Sequence, residues 1–493
     1  MNILFITSDQ QRPDAIGCLN ASVQTPHLDR LAKEGILFER AYTVNPVCTP
    51  SRCSMLTGHY PSRHGCFHVG TNLPMDYGPT VAHHLSDAGY STALLGKAHF
   101  QACKDPVSFE SAPHIHDLDF FRDWAGPYFG FEHAELVIGH TSEPHAGGMN
   151  YGAWLVDQGI DLKQHFDIHD YDHYGPWSLS AEYHGSKWVA DRSMAAIDRA
   201  VDGKQPFFVW ASFQDPHNPY VTPEPWASMY RGTDMLGSVV KNGETNGKPP
   251  FYEALMTGNF YGDDPDLQDR GWGDCKIRPE LTEADVKNVR AVYNGMVSLM
   301  DHHIGRLLAH LEKHGLMDET LIVFTSDHGD YLGDHGLWGK GLPTYECMQR
   351  VPFIVRHPQC ETPGVRSKAL QSLVDLEASF LNVAGLSAGS QSQGICQTAS
   401  WTDANNQARD WALIEFRPSH GRFMQRTYVE GRYKLVRYEN RDYGELYDLE
   451  ADPHQFENLF DAPQLAQVRD EMIKRFDAHG FKEEIVRERM AVA

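Results

Sequence analysis

The chain has 493 residues, enough for a large core and two domains, and its 41% hydrophobic and 22% charged content is ordinary for a globular protein in water. No run approaches the roughly 18 apolar residues of a membrane helix, so no membrane partner is expected. Lys plus Arg total 43 and Asp plus Glu total 66, giving a formal charge of −23; such a surface repels nucleic acid and long polyanions unless a local basic pocket overcomes the field.

The first residues, Met1-Asn2-Ile3-Leu4-Phe5-Ile6-Thr7, carry no basic segment and no long apolar core. They read as a strand that begins at once rather than as a signal peptide, which predicts a cytoplasmic location. Thr25-Pro26 reads as an N-cap with proline at the first helical position, opening a helix through about Glu34 that stops at Gly35. Thr80–Ala88 is a second helix, closed by Gly89. Strands are predicted at Ser91–Leu95, Phe207–Ser212, Leu321–Thr325 and Val351–Val355. Their near-continuous apolar character fits a sheet buried on both faces. A long amphipathic helix follows the capping sequence Thr282-Glu283-Ala284-Asp285 and runs through Val289, Val292, Met296, Leu299, Ile304 and Leu308 to a stop before Gly315. Residues 104–180 and 230–280, rich in Gly, Pro, His and aromatics, read as long insertions. After about residue 400 come short strands at Trp411–Phe416, Arg426–Glu430 and Tyr433–Tyr438, then a helix from about Ala462 to His479.

Strands alternating with helices predict a doubly wound α/β domain over 1–400 with helices on both faces, followed by a smaller domain over 401–493 with a short antiparallel sheet and a helix. In open α/β sheets, ligands bind beyond the carboxyl ends of the strands. Asp9, Lys97, His217 and Asp327 each lie just past such an end, so topology alone gathers them.

The most specific segment is Asn45-Pro46-Val47-Cys48-Thr49-Pro50-Ser51-Arg52-Cys53-Ser54-Met55-Leu56-Thr57-Gly58. Its Cys-x-Pro-x-Arg core, followed by Leu-Thr-Gly, resembles the signature of the sulfatase family, and the likeness extends from Asp9 to Leu459. The resemblance implies an alkaline-phosphatase-like fold. It also implies that Cys48 is oxidised to formylglycine by a formylglycine-generating enzyme, and that the aldehyde hydrate is the nucleophile. Such a hydrate has a built-in exit: one hydroxyl attacks, and the other loses its proton and expels sulfate as the C=O bond reforms. Arg52, one helical turn on, could hold the hydrate by charge-assisted hydrogen bonds. The ordinary alternative is that Cys48 is a small buried thiol.

On the same resemblance, Asp9, Gln10, Asp327 and His328 join residue 48 as metal ligands. Calcium is favoured, and the imidazole makes manganese an alternative. Lys97, His99 and Lys340, the last thirteen residues after Asp327, would surround the non-bridging ester oxygens. His217, in Asp215-Pro216-His217, is the candidate general acid and His99 the candidate base, and the two roles could be exchanged. Of the 27 histidines, His64, His68, His302, His303 and His335 are expected to be structural, with His64 or His335 the ones that could line the site. The other eight cysteines, Cys18, Cys53, Cys66, Cys103, Cys275, Cys347, Cys360 and Cys396, are expected to be reduced. None forms a Cys-x-x-Cys pair, so no structural zinc site is expected.

These features predict a metal-dependent hydrolase of small anionic esters, with sulfate monoesters first. Gln10, His328 and the spacing to Lys340 also resemble phosphonate monoester hydrolases, which keeps phosphonate monoesters and phosphodiesters open as substrates. The retained Lys97–His99 pair favours sulfate. If Cys48 stays a thiol, the reading becomes a metal-dependent anion-binding protein. The insertions or C-terminal tail could build a homo-oligomer interface.

Overall fold

The structure is a computed structural model describing residues 1–139, 142–169, 173–258, 266–267, 275–418, 423–481 and 485–491. Its centre is an eight-stranded sheet of β1 (Asn2–Ser8), β2 (Ile36–Phe38), β3 (Ser91–Lys97), β4 (His133–Val137), β5 (Phe207–Ser212), β6 (Thr320–Ser326), β7 (Phe353–Arg356) and β8 (Val365–Ser367). The spatial order is β8-β2-β7-β6-β1-β5-β3-β4. The central strands β6, β1, β5 and β3 run parallel, and β7 pairs antiparallel with both β6 and β2. Every residue of β1, β5 and β6 is buried, which is why these strands read as continuous apolar runs rather than alternating ones.

Helices cover both faces: α1 (Pro26–Glu34), α2 (Cys48–Thr57), α3 (Val81–Asp87), α4 (Gly185–Gly203) and α5 (Glu283–Lys313). One core packs α2, α3 and the β1 face carrying Ile3 and Phe5; a second packs α1, α4 and α5 against the face carrying Leu4 and Ile6. The predicted α/β fold with helices on both faces is present.

The capping sequences act as two different devices. Thr282 and Asp285 form a reciprocal capping box at α5. Thr25 precedes Pro26 as expected, but its hydroxyl does not cap α1. It accepts from the Gly17 N–H at 2.7 Å and donates to Asp29 at 3.0 Å.

The stretch 104–180 is more ordered than an insertion. It contributes β4 and the helices Leu118–Asp123 and Met149–Asp157. β4 lies at the sheet edge and is only partly covered, so its apolar signal in the sequence is weak. Much of 259–274, within the second stretch read as an insertion, lies outside the described residues.

Near the C-terminus, β9 (Trp411–Phe416), β10 (Gln425–Glu430), β11 (Tyr433–Tyr438) and β12 (Gly444–Asp448) form a four-stranded antiparallel sheet, followed by α6 (Ala466–Ala478). Leu413, Tyr428, Leu435 and Phe476 pack into the same core as Ile3 and Phe5, so this sheet is continuous with the main hydrophobic interior. No described helix is long and apolar enough to cross a membrane.

Candidate active site

The carboxyl ends of β1, β3, β5 and β6 open onto one buried cluster, as the strand-end rule requires. β1 delivers Asp9, β3 ends in Lys97, β5 ends in Ser212, and Asp327 follows β6. Helix α2 enters the cluster with its N-terminus. All ten of its residues are buried, so it has no solvent face and no amphipathic period. It stops at Gly58, whose φ of 67° is left-handed and whose N–H closes onto the Ser54 carbonyl.

Cys48 is the first residue of α2. Its Sγ lies 2.9 Å from Lys340 Nζ, 3.2 Å from His328 Nε2 and 3.7 Å from Asp9 Oδ1. Burial, then Asp9, pushes the thiol up to about 11, against the pull of Lys340 and Lys97. As a plain cysteine it is therefore protonated at neutral pH.

Arg52 organises the carboxylates. Its Nε donates to Asp327 Oδ2 at 2.8 Å and Nη2 to Asp9 Oδ2 at 3.1 Å. Nη1 donates to the Lys97 carbonyl at 2.9 Å and to Ser212 Oγ at 2.8 Å. The guanidinium fork is thus committed to the two acids and two strand ends. Four residues after Cys48, the guanidinium tethers α2 to the acids and strand ends.

Lys97 Nζ sits 2.9 Å from Asp9 Oδ2. Burial raises the Asp9 carboxyl, but Lys97, His217, Arg52 and Lys340 outweigh it and hold the group well below the usual carboxylate range. The Asp9 and Asp327 carboxylates lie among three buried cations, Arg52, Lys97 and Lys340, whose charge favours an anion.

Asp327 is fixed on all sides. Its Oδ1 accepts from the Gln10 and His328 N–H groups at 3.0 and 2.9 Å. Its carbonyl accepts from Thr43 at 2.6 Å and Ser51 at 2.7 Å. His328 Nδ1 contacts the Gly329 carbonyl at 2.8 Å, which turns Nε2 towards Cys48.

Ligand atoms of Asp9, Cys48, Asp327 and His328 all lie within 4.8 Å of one another. Gln10 adds an informative detail. Its Nε2 donates to Asp330 Oδ2 at 2.7 Å and Asn218 Oδ1 at 3.3 Å, while its buried Oε1 has no protein partner among the described residues. Two carboxylates and an imidazole gathered at Cys48, with a donor-less buried amide oxygen on the residue after Asp9, make a set that a hard divalent cation satisfies, so the residues fit a metal.

His217 Nε2 lies 2.7 Å from Lys340 Nζ, and its Nδ1 lies 2.6 Å from the Asn218 carbonyl. The carbonyl can only accept, so Nδ1 carries the proton and Nε2 accepts a hydrogen bond from the lysine. Burial, then Lys340, pushes the imidazole well below its ordinary range. His99 is less direct. Its N–H donates to Glu110 at 2.7 Å, its φ is 54°, and its Nε2 lies 3.3 Å from Cys103 Sγ rather than against Cys48. Its Nδ1 is buried without a partner among the described residues. Burial, then Lys97, lowers its pKa well below the ordinary value.

His64 and His335 do not contact Cys48. His64 bonds Ser54 on α2 at 3.0 Å, and His335 stacks on Tyr345 with centroids 3.5 Å apart.

Three site-shaping residues escaped the sequence reading. Ser212 follows the same strand-end logic as Lys97 and was readable from it. Asp330 lies three residues past Asp327, and Glu110 receives the N–H groups of His99, Phe100 and Gln101. Nothing local in the sequence marks Glu110.

The chain is similar to known proteins along nearly its whole length. The family model described as sulfatase matches residues 1–386, and that described as N-sulphoglucosamine sulphohydrolase, C-terminal, matches 333–481. An arylsulfatase of Clostridium perfringens is 29% identical over 480 residues, covering 96% of this chain and 93% of that protein. A choline-sulfatase of Rhizobium meliloti is 27% identical, covering 97% and 88%. Among solved structures, a phosphonate monoester hydrolase from Silicibacter pomeroyi aligns with a TM-score of 0.77 at 26% identity, covering 97% of this chain and 94% of that one.

Proposed function

The chain belongs to the sulfatase family and is a sulfuric ester hydrolase, and from that premise we propose that it cleaves small sulfate monoesters with a formylglycine made from Cys48. The observation that carries this reading is the position of residue 48 at the N-terminus of a fully buried helix, against Asp9, His328 and Lys340.

The proposed ligands of one divalent cation are Asp9, Gln10, Asp327, His328 and residue 48, with Ca2+ first and Mn2+ as the alternative. The cation supplies Lewis acidity towards an ester oxygen and lowers the pKa of the attacking hydroxyl. The aldehyde hydrate supplies two hydroxyls on one carbon, one to attack sulfur and one to release sulfate as the carbonyl reforms.

The remaining work falls to this chain's side chains. Lys97 and Lys340 hold the non-bridging oxygens and balance the charge that develops on them. His217 and Lys340 form a proton-passing pair facing Cys48, which suits delivery of a proton to the leaving alcohol oxygen. His99, with a free buried Nδ1, is the proposed acceptor of the hydrate proton. Arg52 keeps the two acids apart and correctly turned, which makes it a positioning residue.

A second reading is supported by the solved phosphonate monoester hydrolase: phosphonate monoesters or phosphodiesters as further substrates. They share a single negative charge on a tetrahedral centre. Lys97 and His99 both flank the cluster, which supports sulfate as the main substrate. We also propose a formylglycine-generating enzyme as the maturation partner, a cytoplasmic location, a homo-oligomer, and 401–493 as a C-terminal unit built on β9–β12 and α6.

The test is the mass of tryptic peptide Ala41–Arg52, which holds Cys48 and no other cysteine. Conversion of the thiol to the aldehyde removes one sulfur and two hydrogens and adds one oxygen. Protein from the native host should show the peptide changed by that composition, and Cys48→Ala should abolish 4-nitrophenyl sulfate hydrolysis. An unmodified thiol in active native protein overturns the proposal.

A further inference from the structure

A second convergence of ligand atoms lies on the surface, away from Cys48. His310 and His314 stand four residues apart at the C-terminal end of α5, where i and i+4 side chains share one face. Asp198, on the neighbouring α4, points between them. His310 Nε2 lies 2.8 Å and His314 Nε2 3.0 Å from the same Asp198 Oδ1. The three ligand atoms fall within 4.8 Å of one another. We propose that Asp198, His310 and His314 form a second metal site that takes a borderline transition-metal ion such as Zn2+, and that the ion staples α4 to α5.

Four observations support this assignment. The donors are two imidazoles and one carboxylate, a three-ligand set that leaves a fourth position for water and suits zinc rather than calcium. Their spacing is close to what the ion needs. Bonds of about 2.0–2.2 Å put tetrahedral ligand atoms roughly 3.3–3.5 Å apart, so small side-chain rotations open the present contacts to fit. The donors stand on rigid helices rather than loops. Val189, Ile197, Leu307, Leu308 and Leu311 lock α4 and α5 into one core. Finally, His310 and His314 close the C-terminal end of a 31-residue helix, where exposed carbonyls favour positive charge.

The cluster is open to solvent: side-chain exposure is 13% for His310, 26% for His314 and 48% for Asp198, so an ion can enter without local unfolding. The sequence reading expected no structural zinc site because it sought paired cysteines. The histidine spacing was visible, but its partner on α4 is 112 residues upstream of His310. The competing outcome is a polar contact of Asp198 with the two imidazoles that binds no metal.

The test uses full-length protein saturated with Ca2+ and titrated with Co2+ and Zn2+ at pH 7.5. The wild type should take up one Co2+ with the strong visible absorption of a tetrahedral site, and Zn2+ should displace it. His314→Ala and Asp198→Asn should each weaken binding about 10–100-fold. Zinc at a hundred times its Kd should raise the wild-type Tm by about 2–3 °C and leave His314→Ala unmoved. Equal uptake by wild type and both variants overturns the proposal. So does Co2+ uptake that Asp327→Asn abolishes and His314→Ala leaves intact, since that ion would sit beside Cys48. Asp198→Asn keeps size and helix position, so the test survives if an alanine variant folds poorly.

Discussion

Asp330→Asn probes whether a carboxylate sets which end of the Gln10 amide faces the metal. Asp330 Oδ2 accepts from Gln10 Nε2 at 2.7 Å and Tyr220 OH at 2.8 Å, and Oδ1 accepts from the Leu332 N–H at 2.8 Å. All three neighbours donate, and a carboxylate has acceptors for all of them. An asparagine of the same size must turn its amide nitrogen towards one side. If that nitrogen faces Leu332, two buried donors collide. If it faces Gln10, the Gln10 amide flips and presents its own nitrogen to the ligand cluster, while its oxygen meets Asn218 Oδ1. Either arrangement costs roughly 1–3 kcal/mol, which converts to about a 5–150-fold loss of metal affinity. Calorimetric titration of metal-free protein with Ca2+ reads this directly. Tyr220→Phe is the control: it removes one donor to Asp330 without reversing the amide, and its loss should stay under about threefold. A folded Asp330→Asn protein that binds Ca2+ within twofold of wild type refutes the reasoning, and Gln10 is then no ligand.

Three further outcomes follow from buried charge. Arg52→Lys replaces a planar fork by a point charge and cannot reach Asp9, Asp327, Ser212 and the Lys97 carbonyl together; it should cost about 3–5 kcal/mol in urea unfolding, and a change below 1 kcal/mol contradicts the scaffold role. Arg409→Met removes the buried cation that Asp375 meets at 2.9 Å through two nitrogens and should cost a similar amount, while adding Asp375→Asn, which removes the charge and keeps an acceptor, should recover part of it. Burial raises the Asp301 carboxyl to about 7 against its two N–H donors at the start of α1, so the folded state keeps a proton that the unfolded chain releases near pH 4. Its contribution is therefore full below that pH and is lost as pH rises through about 7, and Asp301→Asn should gain stability relative to wild type between pH 5 and pH 8. Paired urea midpoints at the two pH values check the sign, and the opposite trend contradicts it.

Much of the architecture was legible because the central strands are buried on both faces. Ile3–Thr7 and Leu321–Thr325 read as apolar runs, and the polar residue after each run marked the cleft. The long helix announced both its cap and its period. Short or edge strands were not legible: Ile36–Phe38 has three residues, and His133–Val137 is covered on one side only. At the site, Asp9, Lys97, His217 and Asp327 were found by strand-end position, and Cys48 and Arg52 by motif. What the sequence could not carry was direction. Arg52 lies in the expected place, yet its fork points to Asp9 and Asp327. Glu110 supports His99 through main-chain contacts that leave no trace in residue type. Asp198 meets His310 only because α4 and α5 pack together.

The central claim is sulfate ester hydrolysis at residue 48. Its most direct test is a side-by-side kcat/KM for 4-nitrophenyl sulfate and 4-nitrophenyl phenylphosphonate, using native-host protein whose Ala41–Arg52 peptide carries the aldehyde. The account predicts that sulfate is preferred and that Cys48→Ala loses both activities together. Phosphonate turnover at least tenfold above sulfate, or no sulfate turnover from fully matured protein, would contradict it.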